Sequence, residues 1–369
     1  MTGWKEDLRS LVCINSYTRN KEGVDRSGRL FERWMSEIGF ECKRYERELI
    51  GDHLLFLSKN SGERKRILLL GHLDTVFPPG TFEQFDDDGE WIYGPGVCDM
   101  KGGNVVALEA LRKIYSVRGS VEDIDFLLVS DEETGSDDSR SITSEIARDY
   151  DYCFVFEAAG RDMELVTGRK GIGTFEITIE GKAAHAGTSY DQGCDANLEA
   201  AMKLRELTAM TDLERGSTVN VGRIEGGIGA NTVSPSAKLL LELRYADHEE
   251  KERLLSGLKE TVESSFVPGT SAILTGSIQR DVMEPDSRQA DLIKAMERIT
   301  GMELPTESRG GVSDANITAS AGTVTIDGFG PYGDGDHTRA ERASLESFSS
   351  RISLVSTILL HHQEKGDIK

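Results

Sequence analysis

Apolar positions along this chain follow two patterns, and the change between them falls near Gly168. Before it, short uninterrupted apolar runs alternate with amphipathic stretches. Ile67-Leu68-Leu69-Leu70, Phe126-Leu127-Leu128-Val129 and Phe154-Val155-Phe156 contain no polar residue. Such runs suit strands buried on both faces of a sheet, and they predict strands at 65–71, 124–130 and 152–157. Between them Val105, Val106, Leu108, Ala110, Leu111 and Ile114 recur at helical spacing, predicting a helix at 102–116, with another at 139–149. Residues 3–40 read as helix, with apolar positions at helical spacing from Arg26 to Met35 and Gly39 as the stop. Strands alternating with helices imply a mostly parallel α/β sheet flanked by helices on both faces.

After Gly168 the runs become alternating. Residues 171–180 alternate, most plainly from Phe175 to Glu180, the mark of a half-exposed strand. A helix at 195–210, strands at 217–225 and 236–246, a helix at 248–265 and a strand at 270–279 follow. That order is βαββαβ, a ferredoxin-like unit. The first pattern then resumes: a helix at 287–300, a buried strand at 323–327, a Gly-rich loop at 328–335 and a closing helix at 343–362. The expected organisation is a discontinuous first domain, 1–167 and 281–369, with a compact domain inserted at 168–280.

Composition narrows the classes. The 369 residues allow two ordinary domains. A net charge of -21 argues against nucleic-acid and anionic-membrane partners. No run of about 18 apolar residues predicts a membrane span, and the start Met1-Thr2-Gly3-Trp4-Lys5-Glu6 lacks the order of a signal peptide. The five cysteines are scattered, without CxxC, which suggests reduced thiols in a cytoplasmic protein. Cys98 reads as a packing residue, and His361 and His362 read as surface.

The candidate chemistry sits where apolar runs end. His72, Glu132, Glu133 and Glu157 each follow a predicted strand by a few residues. In open α/β sheets, ligands gather at the carboxyl ends of strands, so these side chains are expected to emerge at one edge. Histidine nitrogen with carboxylate oxygen is the donor set of a catalytic zinc site. Asp74, two residues after His72, is placed to hold the other ring nitrogen. Glu132 and Glu133, facing opposite ways in an extended chain, leave open which binds metal and which moves a proton. Any one of these alone reads as a solvated turn or a cap. Together with Asp99 and His337 they gather more charge than a sheet edge tolerates without a cation.

At this point the chain resembles the di-zinc aminoacylase and glutamate carboxypeptidase family, which includes desuccinylases and tripeptide aminopeptidases. The resemblance rests on Gly71-His72-Leu73-Asp74-Thr75-Val76, Gly94-Pro95-Gly96-Val97-Cys98-Asp99-Met100-Lys101-Gly102-Gly103, Asp131-Glu132-Glu133-Thr134-Gly135-Ser136, Phe156-Glu157 and His337. It implies that Asp99 bridges two zinc ions, with cobalt or manganese as substitutes. It further implies His72 and Glu157 on one ion, Glu133 and His337 on the other, Glu132 as general base and Asp74 orienting His72. A cis peptide bond after Asp99 is implied as well. In the inserted domain, His185 of Gly181-Lys182-Ala183-Ala184-His185 is implied as an oxyanion donor acting in its own or a partner's site. Asn231 and Arg244 are implied as carboxylate contacts, and Gly310 and Gly311 as lining of the specificity pocket. The approach to His337 is longer and more acidic than the family pattern, and Glu341 matches the acid that usually follows.

The resemblance also makes the inserted domain a lid on a catalytic first domain, and implies cleavage of an amide bond beside a free carboxylate, in peptides or N-acyl amino acids, by a homodimer joined through that lid. Glutamate carboxypeptidase is the favoured type. Aminoacylase, acetylornithine deacetylase and succinyl-diaminopimelate desuccinylase are the alternatives. A non-catalytic metal-stabilised binding protein is expected to lack a ligand or the base, and all are present here.

Overall fold

In the computed structural model, which describes residues 3–369, the uninterrupted apolar runs lie side by side at the centre of one sheet. The chain divides into two units. The first comprises the chain up to Gly168 together with Pro285–Arg309 and Ser313–Lys369, and the second comprises Arg169–Glu284 with Gly310–Val312.

The first unit opens with α1 (Trp4–Val12) and α2 (Lys21–Glu37), followed by β1 (Glu41–Tyr45), β2 (His53–Leu57), β3 (Ile67–His72), β4 (Asp86–Asp87) and β5 (Trp91–Tyr93). Then come α3 (Lys101–Arg118), β6 (Ile124–Val129), α4 (Ser139–Ala147), β7 (Tyr152–Val155) and β8 (Leu165–Arg169). The second unit contains β9 (Gly171–Glu180), α5 (Ala196–Ala209), β10 (Thr218–Gly226), β11 (Ser236–Tyr245), α6 (His248–Glu263) and β12 (Ser271–Arg280). The first unit resumes with α7 (Ser287–Thr300), β13 (Thr306–Arg309), α8 (Ala315–Ser320), β14 (Val324–Ile326), β15 (Gly333–Asp334), β16 (Arg342–Ser344) and α9 (Leu345–Lys365).

The central sheet has the order β1-β2-β6-β3-β7-β14. Its β6, β3, β7 and β14 run parallel, while β1 and β2 join antiparallel at one edge. The sheet is therefore mixed and mostly parallel. Every residue of β3 and β6 is buried, because helices cover both faces. Gly103 shows how closely α3 approaches: a Cβ there would lie 1.8 Å from the carbonyl oxygen of Phe156. Pairs β15-β16-β5-β4 form a small second sheet.

The segment expected as one helix over 3–40 is two helices, broken between Val12 and Lys21. Asn15, Ser16, Thr18 and Asn20 favour local side-chain hydrogen bonds over helix. Asn20 caps α2 by accepting from the amide of Gly23. The loop so formed carries Thr18 to Asp74 at 2.6 Å. His362 corrects the surface expectation: it is buried, with Nε2 2.6 Å from the carbonyl oxygen of Lys65.

The second unit follows the order βαββαβ, with sheet order β10-β11-β9-β12 and every neighbour antiparallel. Alternate residues of β9 are buried. Ile177, Ile179, Leu239, Leu241 and Leu243 form a core with Ala200 and Leu207 of α5 and Leu254 and Leu258 of α6. Asp195 and Asp247 cap these two helices through their side chains.

Candidate metal centre

Four of the candidate residues sit at the carboxyl ends of three adjacent parallel strands. His72 ends β3, Glu132 and Glu133 follow β6, and Glu157 follows β7. Asp99 and His337 arrive by another route, on the loops after β5 and β15 of the small sheet. Two groups result, His72 with Asp99 and Glu157, and Asp99 with Glu133 and His337. In each, the ligand atoms lie within 4.8 Å of one another.

Asp99 belongs to both groups. Its Oδ1 lies 3.0 Å from Nε2 of His72, and its Oδ2 lies 3.2 Å from Nε2 of His337. Glu157 Oε1 is 3.9 Å from His72 Nε2, and Glu133 Oε2 is 3.1 Å from His337 Nε2. Nδ1 of His72 faces Asp74, 3.0 Å from its carbonyl oxygen and 3.3 Å from Oδ1. The Asp99–Met100 peptide bond is cis, as the resemblance implies.

The surrounding backbone is held by buried polar groups. Glu341 accepts from the amides of Gly96 (2.9 Å), Cys98 (3.0 Å) and Asp99 (3.1 Å), so it shapes the loop that presents Asp99. Asn104 donates to the carbonyl of His72 at 2.7 Å. Asp74 Oδ2 accepts from Thr18 and, at 3.3 Å, from the amide of Glu133. Glu132–Thr134 is a 3₁₀ turn, not the extended pair expected from sequence. About three residues per turn set the two glutamate side chains roughly 120° apart. Glu132 is half-buried, and its charge acts on Glu157.

Electrostatics show why the donor set suits a cation. Burial pushes Glu133 up to about 8, and the charge of Asp99 adds to it. Burial and Asp99 also hold Glu157 well above the ordinary carboxylate range. Hydrogen bonds to Asp99 and Glu133 raise His337 to about 11. Burial opposes the charge on His72, yet hydrogen bonds to Asp74 and Asp99 outweigh it and raise its pKa. Asp99 is lowered although it is buried, because both imidazoles donate to it. Carboxylates this close stay ionised together only with added positive charge. Imidazole nitrogen and carboxylate oxygen, grouped this tightly, fit a divalent ion such as zinc.

The remaining candidates lie in the second unit. His185 pairs as a β-bridge with Thr232, its Nδ1 accepts from the amide of Gly187 at 3.1 Å, and Ala186 donates to the carbonyl of Asn231 at 2.9 Å. His185 and Asn231 are thus neighbours on an exposed surface. Arg244 already has partners: Nε lies 2.7 Å from Glu242, and Nη1 donates to the carbonyl of Gly310 at 3.0 Å. Arg169 donates to Gly311 at 3.0 Å. Among the described residues, no helix is long and apolar enough to cross a membrane.

This fold and site define a class, an α/β protein whose strand ends gather a histidine and carboxylate cluster able to hold two cations. The family model described as Peptidase family M20/M25/M40 matches residues 68–361, and the chain belongs to that family of metallopeptidases. It is 30% identical over 365 residues to carboxypeptidase G2 of Pseudomonas sp. (strain RS-16), covering 96% of this chain and 88% of that one. It is 27% identical over 371 residues to a succinyl-diaminopimelate desuccinylase of Wolinella succinogenes, covering 92% and 94%. The crystal structure of aminopeptidase PepT from Bacillus cereus superposes with a TM-score of 0.80 at 21% identity, over 97% of each chain, which shows the shared fold.

Proposed function

We propose that this chain is a dinuclear metal-dependent hydrolase that cleaves an amide bond beside a free carboxylate, of the glutamate carboxypeptidase type. The observation that carries the reading is the sharing of Asp99 between two ligand groups. The 30% identity with a carboxypeptidase supports the exopeptidase reading. His72 and Glu157 would hold one ion and Glu133 and His337 the other, with Asp99 common to both. Zinc there, or cobalt or manganese, supplies Lewis acidity toward the scissile carbonyl and lowers the pKa of water.

The protein's own residues do the rest. Glu132 takes a proton from the attacking water and returns it to the leaving amine. Asp74 fixes the tautomer of His72 through Nδ1. His185 donates to the developing oxyanion. Asn231 and Arg244 take the free carboxylate, with Gly310 and Gly311 lining the pocket for the side chain beside it. The second unit also joins two copies as a homodimer, for which exposed Ile224 and Ile228, with Leu240 and Ile273 of the same sheet region, are among its apolar side chains.

The test is hydrolysis by zinc-loaded protein of dipeptides and N-acyl amino acids ending in glutamate, each beside its carboxamide. Cleavage only of the free acids, lost on chelation and regained with zinc, is the expected result. Preference for N-succinyl or N-acetyl substrates over peptides moves the reading to a deacylase, the activity named for the desuccinylase relative. Turnover unaffected by chelation overturns it.

A further inference from the structure

One fully buried imidazole outside the cluster joins the two ends of the loop that carries Glu132 and Glu133. His53, the first residue of β2, is 0% exposed. Its Nδ1 accepts from the amide of Ser130 at 3.1 Å, and its Nε2 lies 2.9 Å from Oδ1 of Asp138. Because Nδ1 accepts, the proton of the neutral ring sits on Nε2 and is donated to Asp138. Ser130 is the residue after β6, and Asp138 the residue before α4, so one ring spans the mouth of the loop.

Other bonds close the same loop. Asp131 Oδ2 accepts from the amides of Asp138 (2.8 Å) and Ser139 (3.3 Å). Ser130 Oγ donates to the carbonyl of Asp52 at 2.7 Å, and Arg47 grips Asp138 from outside. Inside the loop, Gly135 and Ser136 donate back to the carbonyls of Glu132 and Asp131, both at 2.9 Å. The turn bearing the two glutamates is therefore braced within itself, and His53 ties together its two ends.

We propose that His53 is a positioning residue that fixes Glu132 and Glu133 by tying Ser130 to Asp138. The proposal rests on the hydrolase reading for the roles of those glutamates. A histidine that only fills space in the core acts through its volume. A clamp acts through its two hydrogen bonds. Substitutions separate the two, since His53→Phe keeps the ring volume without either bond. His53→Asn keeps an acceptor near Nδ1, and His53→Gln keeps a donor near Nε2.

The experiment combines zinc calorimetry on the chelator-stripped full chain with steady-state kinetics on the best substrate of the panel. His53→Phe is expected to lower kcat by about tenfold or more, with KM changed less than about threefold. It should also weaken one of two zinc-binding events, the one involving Glu133, by about tenfold, with the other unchanged. His53→Asn and His53→Gln should fall between wild type and His53→Phe. If His53→Phe does not fold, both amide variants exceeding His53→Ala supports the clamp, and equality with it overturns the clamp. A His53→Phe variant with wild-type kcat and zinc affinity, or one better than both amide variants, also overturns it. Wild type and Glu132→Gln run alongside: a wild type without turnover on any member of the panel sinks the hydrolase reading, a fully active Glu132→Gln sinks the role of Glu132, and an inactive Glu132→Gln beside fully active His53 variants sinks only the clamp.

Discussion

The two units bury charge in opposite ways. In the second, buried charges are matched within the protein. Lys203 Nζ lies 2.9 Å from Glu199 and donates to the carbonyls of Thr261 (2.6 Å) and Val262 (3.2 Å), while Glu199 accepts from the amides of Phe266 and Val267. Glu250 is held by Arg253, Arg215 and Ser217. In the first unit, Asp99, Glu133 and Glu157 crowd two imidazoles, with the charge of Glu132 acting on Glu157. Backbone bonds from Glu341, Asn104 and Asp74 keep that excess in place. Matched charge holds a fold together, whereas mismatched charge on a rigid frame is what a cation site requires. The overall acidity of the chain does not make this distinction, because both units are rich in acids.

Substitutions can break the contrast at either end. The largest effect is expected at Glu132: Glu132→Gln should lower kcat about 10³-fold with both zinc ions retained, read by turnover and metal analysis. Full turnover would remove Glu132 from the reaction. Its counterpart in the second unit is Lys203→Met, which leaves Glu199 buried and unpaired. That change should cost about 3 kcal/mol of stability in denaturant unfolding, with zinc affinity unchanged. A loss of zinc affinity there would blur the distinction between the units.

Glu250 tests the same idea through pH. The hydrogen bond from Arg253 comes first among the groups that lower its carboxyl from 4.5 to about 2, against the opposing effect of burial. A carboxylate depressed on folding contributes stability that is complete above about 4.5 and lost as pH falls toward about 2. Glu250→Gln should therefore cost about 2 kcal/mol at neutral pH, with the gap to wild type closing across that acid window. A gap independent of pH would show that the charge is not what stabilises. The smallest effect is expected at Arg244. Arg244→Ala should raise KM about tenfold for free-acid substrates and leave their carboxamides alone, since a guanidinium–carboxylate hydrogen bond contributes about 1.5 kcal/mol or more. An unchanged KM would assign Arg244 to Glu242 and Gly310 alone.

Much of the first unit's centre was legible in the chain because β3, β6 and β7 are apolar on both faces. That pattern carries the strands, and with them the placement of His72, Glu133 and Glu157. The small sheet was not legible. Strands of two or three residues, such as β4, β5, β15 and β16, are too short to show a period, and they form by pairing with distant partners. Yet they deliver Asp99 and His337, candidates in the sequence whose separate roles only the family resemblance implies. The supporting residues were hidden for a related reason. His53 meets partners 77 and 85 residues away, and Glu341 meets amides more than 240 residues away. No local spacing encodes such contacts. The break between α1 and α2 was readable in its Asn and Ser residues, but the helical pattern on either side masked it.

The central claim is that Asp99 is shared by two metal sites. Native mass spectrometry of wild type and Asp99→Ala, each stripped by chelator and reloaded with zinc, tests it most directly. Wild type should carry two zinc ions per chain. Asp99→Ala should lose affinity for both, with stoichiometry falling below one, because each group is left with two protein ligands. Two zinc ions retained at wild-type affinity in Asp99→Ala would contradict the shared site.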